Sequence, residues 1–212
     1  MTNDNHGNLQ VTGTGKVQVA PDEAIVHLGV VTDGKTATDA ATSNAARTQA
    51  MISAITKQPN HGVTTVGLGV NPIMSYDPQT NVGTIVGFRA TNGVEVKTKV
   101  GSAGQIYDAG IAAGATESSG ITFQVQNESP HREEALRLAF EQASKEAHIV
   151  ARAAKVELEG PTSIQIEPGG GRTFYRSEAL NAKAIATPVI PEDRTITASV
   201  HIVFRTGPRR GA

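Results

Sequence analysis

The sequence contains no cysteine and no tryptophan among its 212 residues. Without cysteine, the chain cannot form disulfide bonds, use a thiol in catalysis or bind a metal through thiolates. Aromatic residues make up only 4% of the chain, too few for the stacking surfaces that bind bases or sugars. Basic side chains number 19 and acidic ones 20, so the basic surplus that nucleic acids or anionic membranes attract is missing. We therefore predict no nucleic-acid partner.

Long apolar runs are also missing from the sequence. No run approaches the roughly 20 residues of a membrane-spanning helix, so we predict no transmembrane segment. Residues 2–8 are polar and lack the cationic start and apolar core of a signal peptide. As written, the chain is therefore expected in the cytoplasm, unless a signal peptide has been removed. Its length and its 38% of apolar residues predict one or two domains with a sizeable core.

Alternating apolar residues predict seven strands. The predicted strands cover residues 9–19, 24–31, 63–76, 85–100, 120–126, 162–167 and 194–205. The second of them is apolar on both faces, which is typical of a central strand. In the third, Val66, Leu68 and Val70 are expected to share one face. The third and fourth strands predict a long antiparallel hairpin.

Apolar residues spaced by three and four predict helices between these strands. A helix capped by Thr36 or Thr38 runs to about Lys57, and Ser102 caps a shorter one. The expected core face of the first of these helices consists of Ala41, Ala45, Thr48, Ile52 and Ile55. The longest helix opens at Ser129-Pro130, with serine as the cap and proline in the first turn. Its expected core face consists of Leu136, Phe140, Ala143, Ala147, Val150 and Ala154.

The order of these elements predicts an α+β fold. Residues 23–128 have the order β-α-β-β-α-β, which is typical of a ferredoxin-like unit with helices on one face of an antiparallel sheet. Residues 9–22 and 129–206 are left for a second α+β unit, built from both ends of the chain. A single merged sheet is the competing arrangement. Residues 169–193 form an irregular insert without strong periodicity, and 207–212 form a tail.

Motifs for chemistry are incomplete in this sequence. The stretch from Gly13 to Lys16 suggests a phosphate-binding loop, but Gln10 stands where the motif requires glycine and Val17 where it requires serine or threonine. The six histidines lie at no metal-binding spacing, and no G-x-S-x-G nucleophile motif occurs. We therefore predict no catalytic residue, no metal ligand and no cofactor.

A small basic and aromatic cluster lies in the irregular insert. Its members are Arg172, Phe174, Tyr175 and Arg176. Loops often carry binding residues, so one interpretation is a contact with a partner or ligand. The alternative is a solvated loop whose few apolar residues pack locally. The sequence does not decide between them.

Several short motifs, taken in order, resemble the SIMPL domain family of bacteria, a family of unknown function. The resemblance covers residues 9–205. The matching residues are Val11-Thr12-Gly13-Thr14-Gly15, Pro21-Asp22-Glu23-Ala24, Leu28-Gly29-Val30, Ala37, Ala41, Asn44, Gly87-Phe88-Arg89-Ala90-Thr91-Asn92, Gly114-Ala115 and Gly120-Ile121-Thr122-Phe123. On this basis we place a SIMPL domain at residues 9–206.

The resemblance implies an α+β fold, a periplasmic or envelope location, assembly into larger homo-oligomers and a loose link to stress tolerance. It implies no catalytic residues. It is consistent with structural roles for Asn44 and Asn92, because an asparagine amide can bridge backbone groups. The location implied by the family and the one implied by the chain as written both stay open.

Three functions follow from these observations. The first is a non-enzymatic assembly or interaction protein. The second is a small-ligand-binding module, with an unknown ligand, on the sheet face near Tyr76 and Arg89. The third is an enzyme, which would require His27 or His201 beside a carboxylate in a cleft.

If the insert contacts a neighbouring subunit, deletion of residues 169–193 should lower the native mass measured by light scattering. An unchanged mass would argue against that use of the insert.

Overall fold

A computed structural model describes residues 6–167 and 187–208 and confirms the α+β fold class. These residues form seven strands, three α-helices and a short 3₁₀ helix at Val100–Ser102. The strands are β1 Gly7–Val19, β2 Glu23–Gly34, β3 Gly62–Tyr76, β4 Gly83–Lys99, β5 Glu117–Gln124, β6 Val156–Ile166 and β7 Arg194–Pro208. The helices are α1 Ala37–Ile55, α2 Ala103–Ala112 and α3 Ser129–Ala154.

The described residues divide into two compact units. The first contains residues 6–20, 127–167 and 192–208, and the second contains 21–126 and 187–191. Each unit has its own antiparallel sheet, with the strand order β1-β7-β6 in the first and β3-β4-β2-β5 in the second. The expected central position of β2 is confirmed, because it lies between β4 and β5.

In the first unit, helix α3 lies directly on the backbone of strand β1. A Cβ atom added at Gly13 would come within 2.0 Å of the Ala139 carbonyl oxygen, and one added at Gly15 within 1.9 Å of the Ala135 oxygen. Only glycine allows so close an approach of two backbones. The glycines in β1 therefore determine how near the helix lies to the sheet.

This close approach also decides which face of α3 is buried. The buried residues are Ala135, Ala139, Ala143, Ala147 and Ala151, all alanines four residues apart. The predicted face was wrong at Phe140, Val150 and Ala154, all of which are exposed. The large side chains of Phe140 and Val150 do not fit between two backbones in contact, so the helix turns smaller alanines toward the sheet. Valine, isoleucine and phenylalanine from β7 complete this core.

In the second unit, α1 and α2 cover one face of the sheet. The core combines side chains of β2 and β4 with those of the two helices. Its buried members are Ala24, Val26, Leu28, Val30, Met51, Ile55, Val94, Val96, Ala103 and Ile106. The element order β2-α1-β3-β4-α2-β5 and the all-antiparallel sheet are those of the predicted ferredoxin-like unit.

A buried asparagine joins α1 to the centre of this sheet. The Asn44 amide nitrogen donates to the backbone oxygens of Val30 at 2.8 Å and Ala90 at 3.0 Å, on neighbouring strands. The Thr48 hydroxyl donates to the Asn44 side-chain oxygen at 3.3 Å. The predicted core face of α1 is wrong by one position at three sites, because Ala40, Asn44 and Met51 are buried where Ala41, Ala45 and Ile52 were expected.

The buried residues of α1 are Ala40, Asn44, Thr48, Met51 and Ile55. Hydrophobic spacing alone does not predict a buried amide. The Asn44 side chain is tolerated in the core because two backbone oxygens on adjacent strands accept its hydrogen bonds.

The predicted helix caps are confirmed at one of three sites. Thr36 accepts a hydrogen bond from the Asp39 N–H at 3.1 Å and caps α1. Ser102 occupies the cap position of α2 without a side-chain capping bond. Ser129 is the first residue of α3 rather than its cap, and Glu128 occupies the cap position without a side-chain capping bond. Strand β6 also begins earlier than predicted, at Val156.

A buried carboxylate connects the strand ends of the second unit. Glu23 is 3% exposed and accepts hydrogen bonds from the side-chain amides of Gln126, at 2.8 Å, and Gln124. The His61 ring nitrogen lies 3.5 Å from the same carboxylate. These bonds, that to Gln126 foremost, lower the pKa of Glu23 from its usual value of 4.5. The ionised carboxylate thus links β2 to the end of β5 and the start of β3.

The glycine–alanine contact predicts a large effect for Gly15→Ala. The added methyl group would overlap the backbone of α3, so we expect a loss of about 3 kcal/mol in unfolding free energy. Urea denaturation followed by circular dichroism measures this change. Gly101→Ala is the control, because a Cβ there meets no atom within 4 Å. Equal stability of the two variants would contradict the close packing.

The buried carboxylate predicts a pH-dependent effect for Glu23→Gln. A lowered folded-state pKa stabilises the protein above the unfolded value of 4.5, and this stability is lost as pH falls through the folded pKa. At pH 7 we expect the variant to lose about 1.5–3 kcal/mol, the contribution of hydrogen bonds to a charged group. The difference from wild type should shrink below pH 4.5. Glu117→Gln, at an exposed position, is the control and should keep the wild-type stability at pH 7.

Candidate interaction surface

The hairpin of β3 and β4 extends beyond the rest of its sheet. The two strands pair from Gly62 opposite Lys97 to Tyr76 opposite Gly83. Strand β2 pairs with β4 only as far as Gly34 opposite Phe88. From that point to the turn, β3 and β4 have only each other as partners in the described sheet. This two-stranded part begins at Pro72, which lies opposite Phe88. We call residues 68–88, which comprise this part and the adjoining residues 68–71 of β3, the β3–β4 ribbon.

One face of the ribbon is apolar. Alternation along β3 places every second side chain on the same face. Val70 lies opposite Ala90 and Met74 opposite Ile85, so β4 contributes to this face as well. A Cβ added at Gly83 would meet the side chains of both Met74 and Tyr76, which shows that these two lie together. The ribbon face consists of Leu68, Val70, Pro72, Met74, Tyr76 and Ile85.

The ribbon face is open to solvent. Leu68 is 76% exposed and Tyr76 61%, and the other members are also exposed. From residue 62 to residue 88, Asp77 is the only formally charged side chain. Contiguous apolar surface without charge is typical of a protein–protein contact.

A bulge changes one prediction for this strand. Val66 lies opposite Gly93 and Leu68 opposite Asn92, so Gly67 is an extra residue with a φ of 73°. The extra residue turns Val66 to the face opposite that of Leu68. The prediction that Val66, Leu68 and Val70 share one face was therefore wrong for Val66. Alternation predicts faces only where the register is continuous.

The other face of the ribbon is more polar, although Ile73 also lies on it. Asn71 lies opposite Arg89, and the Arg89 guanidinium makes two 2.8 Å hydrogen bonds to Asp33 on β2. This pair lowers the pKa of Asp33 and raises that of Arg89. Asn71 and Tyr76 are five residues apart, so Arg89 and Tyr76 lie on opposite faces of the ribbon. The ligand site suggested near both residues is not formed by one face.

A short turn holds the tip of the ribbon. The Asp77 carboxylate accepts hydrogen bonds from the N–H groups of Gln79, at 2.7 Å, and Thr80, at 3.2 Å. These bonds lower the pKa of Asp77. Asn81 adopts a left-handed conformation with φ of 54°, which asparagine tolerates in turns. The tip thus has a defined backbone with its negative charge bound to the turn.

The histidines named for a possible enzyme are placed on sheet faces. His27 lies 3.4 Å from Glu95 and 3.1 Å from the Thr122 hydroxyl, on the strands to either side of β2. His201 contacts the Thr12 hydroxyl at 3.1 Å. His27 therefore has a carboxylate neighbour, whereas His201 is bonded to a hydroxyl group. Among the described residues, no group of three side chains suitable for holding a metal ion occurs.

The candidate residues of the insert, Arg172, Phe174, Tyr175 and Arg176, lie outside the described residues. The end of the insert is described from Thr187 onward. The N–H and the hydroxyl group of Thr187 both donate to the Asp108 carboxylate on α2, and these bonds lower the pKa of Asp108.

Val189 packs against the core of the second unit. The returning chain is therefore attached to this unit at two points.

The first unit has a shallow hollow of about 370 Å³ where α3 meets β6. Its lining includes His148, Arg152, Lys155 and Glu157. The described part of the chain contains no helix long and apolar enough to cross a membrane.

Comparison with known proteins gives a family and two relatives. Residues 9–204 match SIMPL, described as "Protein of unknown function (DUF541)". The chain is 26% identical to the "26 kDa periplasmic immunogenic protein" of Brucella melitensis biotype 1, across 92% of this chain and 83% of the relative. The protein of the same name from Brucella abortus strain S19 matches with the same identity and coverage. Since the family match spans nearly all of the sequence, the chain belongs to the SIMPL family.

Proposed function

We propose that this protein is a non-enzymatic, self-assembling protein of the bacterial envelope. The observation that carries the proposal is the uncovered, uncharged face of the β3–β4 ribbon. An apolar surface of this kind is stabilised when another molecule covers it. A contribution to stress tolerance, which the family resemblance implies, belongs to the same proposal.

The location and the absence of catalysis have separate support. Both Brucella relatives carry the word periplasmic in their names, which favours the envelope. Those names describe an immunogenic protein and no reaction. The proposal therefore places the protein's activity in binding rather than in turnover.

Self-assembly predicts a native mass of several subunits. Light scattering on a sizing column, over a range of protein concentrations, measures that mass directly. We expect a closed oligomer that persists on dilution. A monomer at every concentration would overturn self-assembly as the role of the protein.

Two matched variants test whether the ribbon face is the assembly surface. Leu68→Asp with Tyr76→Asp places two negative charges on the apolar face, and Asn71→Asp with Ser75→Asp places two on the polar face. Burying an unpaired charge is costly, so we expect the first variant to lower the native mass at least twofold. The second should keep the wild-type mass. Circular dichroism checks that both remain folded.

If both variants keep the wild-type mass, the protein assembles through another surface. If both lower it equally, the effect is one of net charge and the ribbon face has no special role.

A further inference from the structure

We infer that the hollow where α3 meets β6 binds a small molecule that has a carboxylate group and an apolar part. The hollow has a volume of about 370 Å³, which is in the range of small-ligand sites, and all of its lining residues belong to the first unit. The inference goes beyond the proposed function, because it concerns a small ligand and uses no residue of the β3–β4 ribbon.

Three basic side chains meet at this hollow. His148 and Arg152 are one turn apart on α3, and Lys155 follows directly after the last residue of that helix. Residues three and four positions apart are neighbours on the surface of a helix, so the three side chains lie side by side. Each of them is exposed to solvent. A solute can therefore reach all three at one place.

Arg152 and Lys155 form no ion pair with any carboxylate of the described residues. Arg137, closer to the start of the same helix, differs from them because it is paired with Glu134 and Glu141. The planar guanidinium group of an arginine can donate two parallel hydrogen bonds to one carboxylate. The donors of Arg152 are thus available to a carboxylate that belongs to a ligand.

The backbone of Lys155 is a separate indication that its side chain has a role here. Lys155 ends α3 in the left-handed conformation, with a φ of 57°. Glycine is the usual residue at such a helix end, because a side chain in this conformation is strained. Among the described residues, the only other residue besides glycine with a positive φ is Asn81, in the turn of the ribbon. Strained residues cluster at functional sites, which favours a function for the Lys155 ammonium group.

The ring of His148 has a defined orientation. Its Nδ1 atom lies 2.7 Å from the backbone oxygen of Ser144, and this oxygen can only accept a hydrogen bond, so Nδ1 carries the hydrogen. The Nε2 atom is therefore the ring nitrogen that remains for a ligand. A side chain that is already held in place loses less conformational entropy when a ligand binds.

The charge and the lining of the hollow indicate the class of ligand. Arg152 and Lys155 bring two positive charges to the hollow, and Glu157 brings one negative charge. Counted without His148, the single positive charge that remains matches a carboxylate better than a doubly charged phosphate. The rest of the lining is apolar and consists of Ala151, Val156 and Leu158. A short hydrocarbon part of the ligand can cover these side chains.

Equilibrium dialysis of the full chain against isotopically labelled hexanoate tests the inference. We expect binding that saturates at one hexanoate per subunit. Acetate has the carboxylate without the hydrocarbon part, so it should bind more weakly by about fivefold or more. Bound ligand is counted per subunit, so the result does not depend on whether the protein assembles. Absence of saturable binding would overturn the inference, and so would tighter binding of inorganic phosphate than of hexanoate.

Two matched variants of α3 locate the site. Arg152→Gln removes the guanidinium group from the hollow, and we expect it to weaken hexanoate binding about tenfold, the effect of losing a hydrogen bond between charged groups. Lys145→Gln is the control, because Lys145 is also an exposed base on α3 but does not line the hollow. It should bind hexanoate as the wild type does. An equal loss in both variants would show a general effect of charge and overturn the inference.

Lys155→Gly separates ligand binding from a role in the helix alone. A basic side chain at the end of a helix also interacts favourably with the helix dipole. Glycine adopts the left-handed conformation without strain, so we expect this variant to keep a urea denaturation midpoint close to that of the wild type. Its affinity for hexanoate should fall about tenfold. Reduced stability with unchanged hexanoate binding would assign Lys155 to the helix alone and overturn its place in the inferred site.

Discussion

Strand β4 has 17 residues, and its neighbour β2 has 12. This difference in length is the constraint on which the candidate surface depends. Where β2 ends, β3 and β4 continue as a pair in the described sheet. An isolated two-stranded ribbon is marginally stable in water unless its apolar side is covered. The ribbon therefore gains most from a contact that the second unit does not supply.

The two units solve the packing of a helix on a sheet in different ways. In the first, glycines in β1 and alanines in α3 bring two backbones into contact, and the large side chains of the helix turn outward. In the second, Asn44 uses hydrogen bonds to two strands to fix α1, while Met51 and Ile55 fill the space beneath it. Close packing in one case and a satisfied buried amide in the other give each unit a definite helix position.

The polar groups of the second unit strengthen its framework and leave the ribbon face untouched. Glu23 joins strand ends at one end of the sheet, and the Asp33–Arg89 pair lies where β2 ends. Asp108 attaches the returning chain at Thr187 to helix α2. These charges all have partners within the unit. The uncharged face of the ribbon is consequently the surface best suited to a contact with another molecule.

The sequence by itself determined the α+β class, the order of the elements and the central position of β2, because alternation and turn residues act locally. The sequence also carried the family, through motifs that lie in order along the chain. The tertiary structure alone decided the buried faces of α1 and α3, since these depend on which backbone atoms the helices meet. It alone separated Val66 from Leu68 and Arg89 from Tyr76, because strand register and bulges arise from pairing. The exposure of the ribbon likewise follows from the unequal lengths of paired strands, which no single segment of sequence contains.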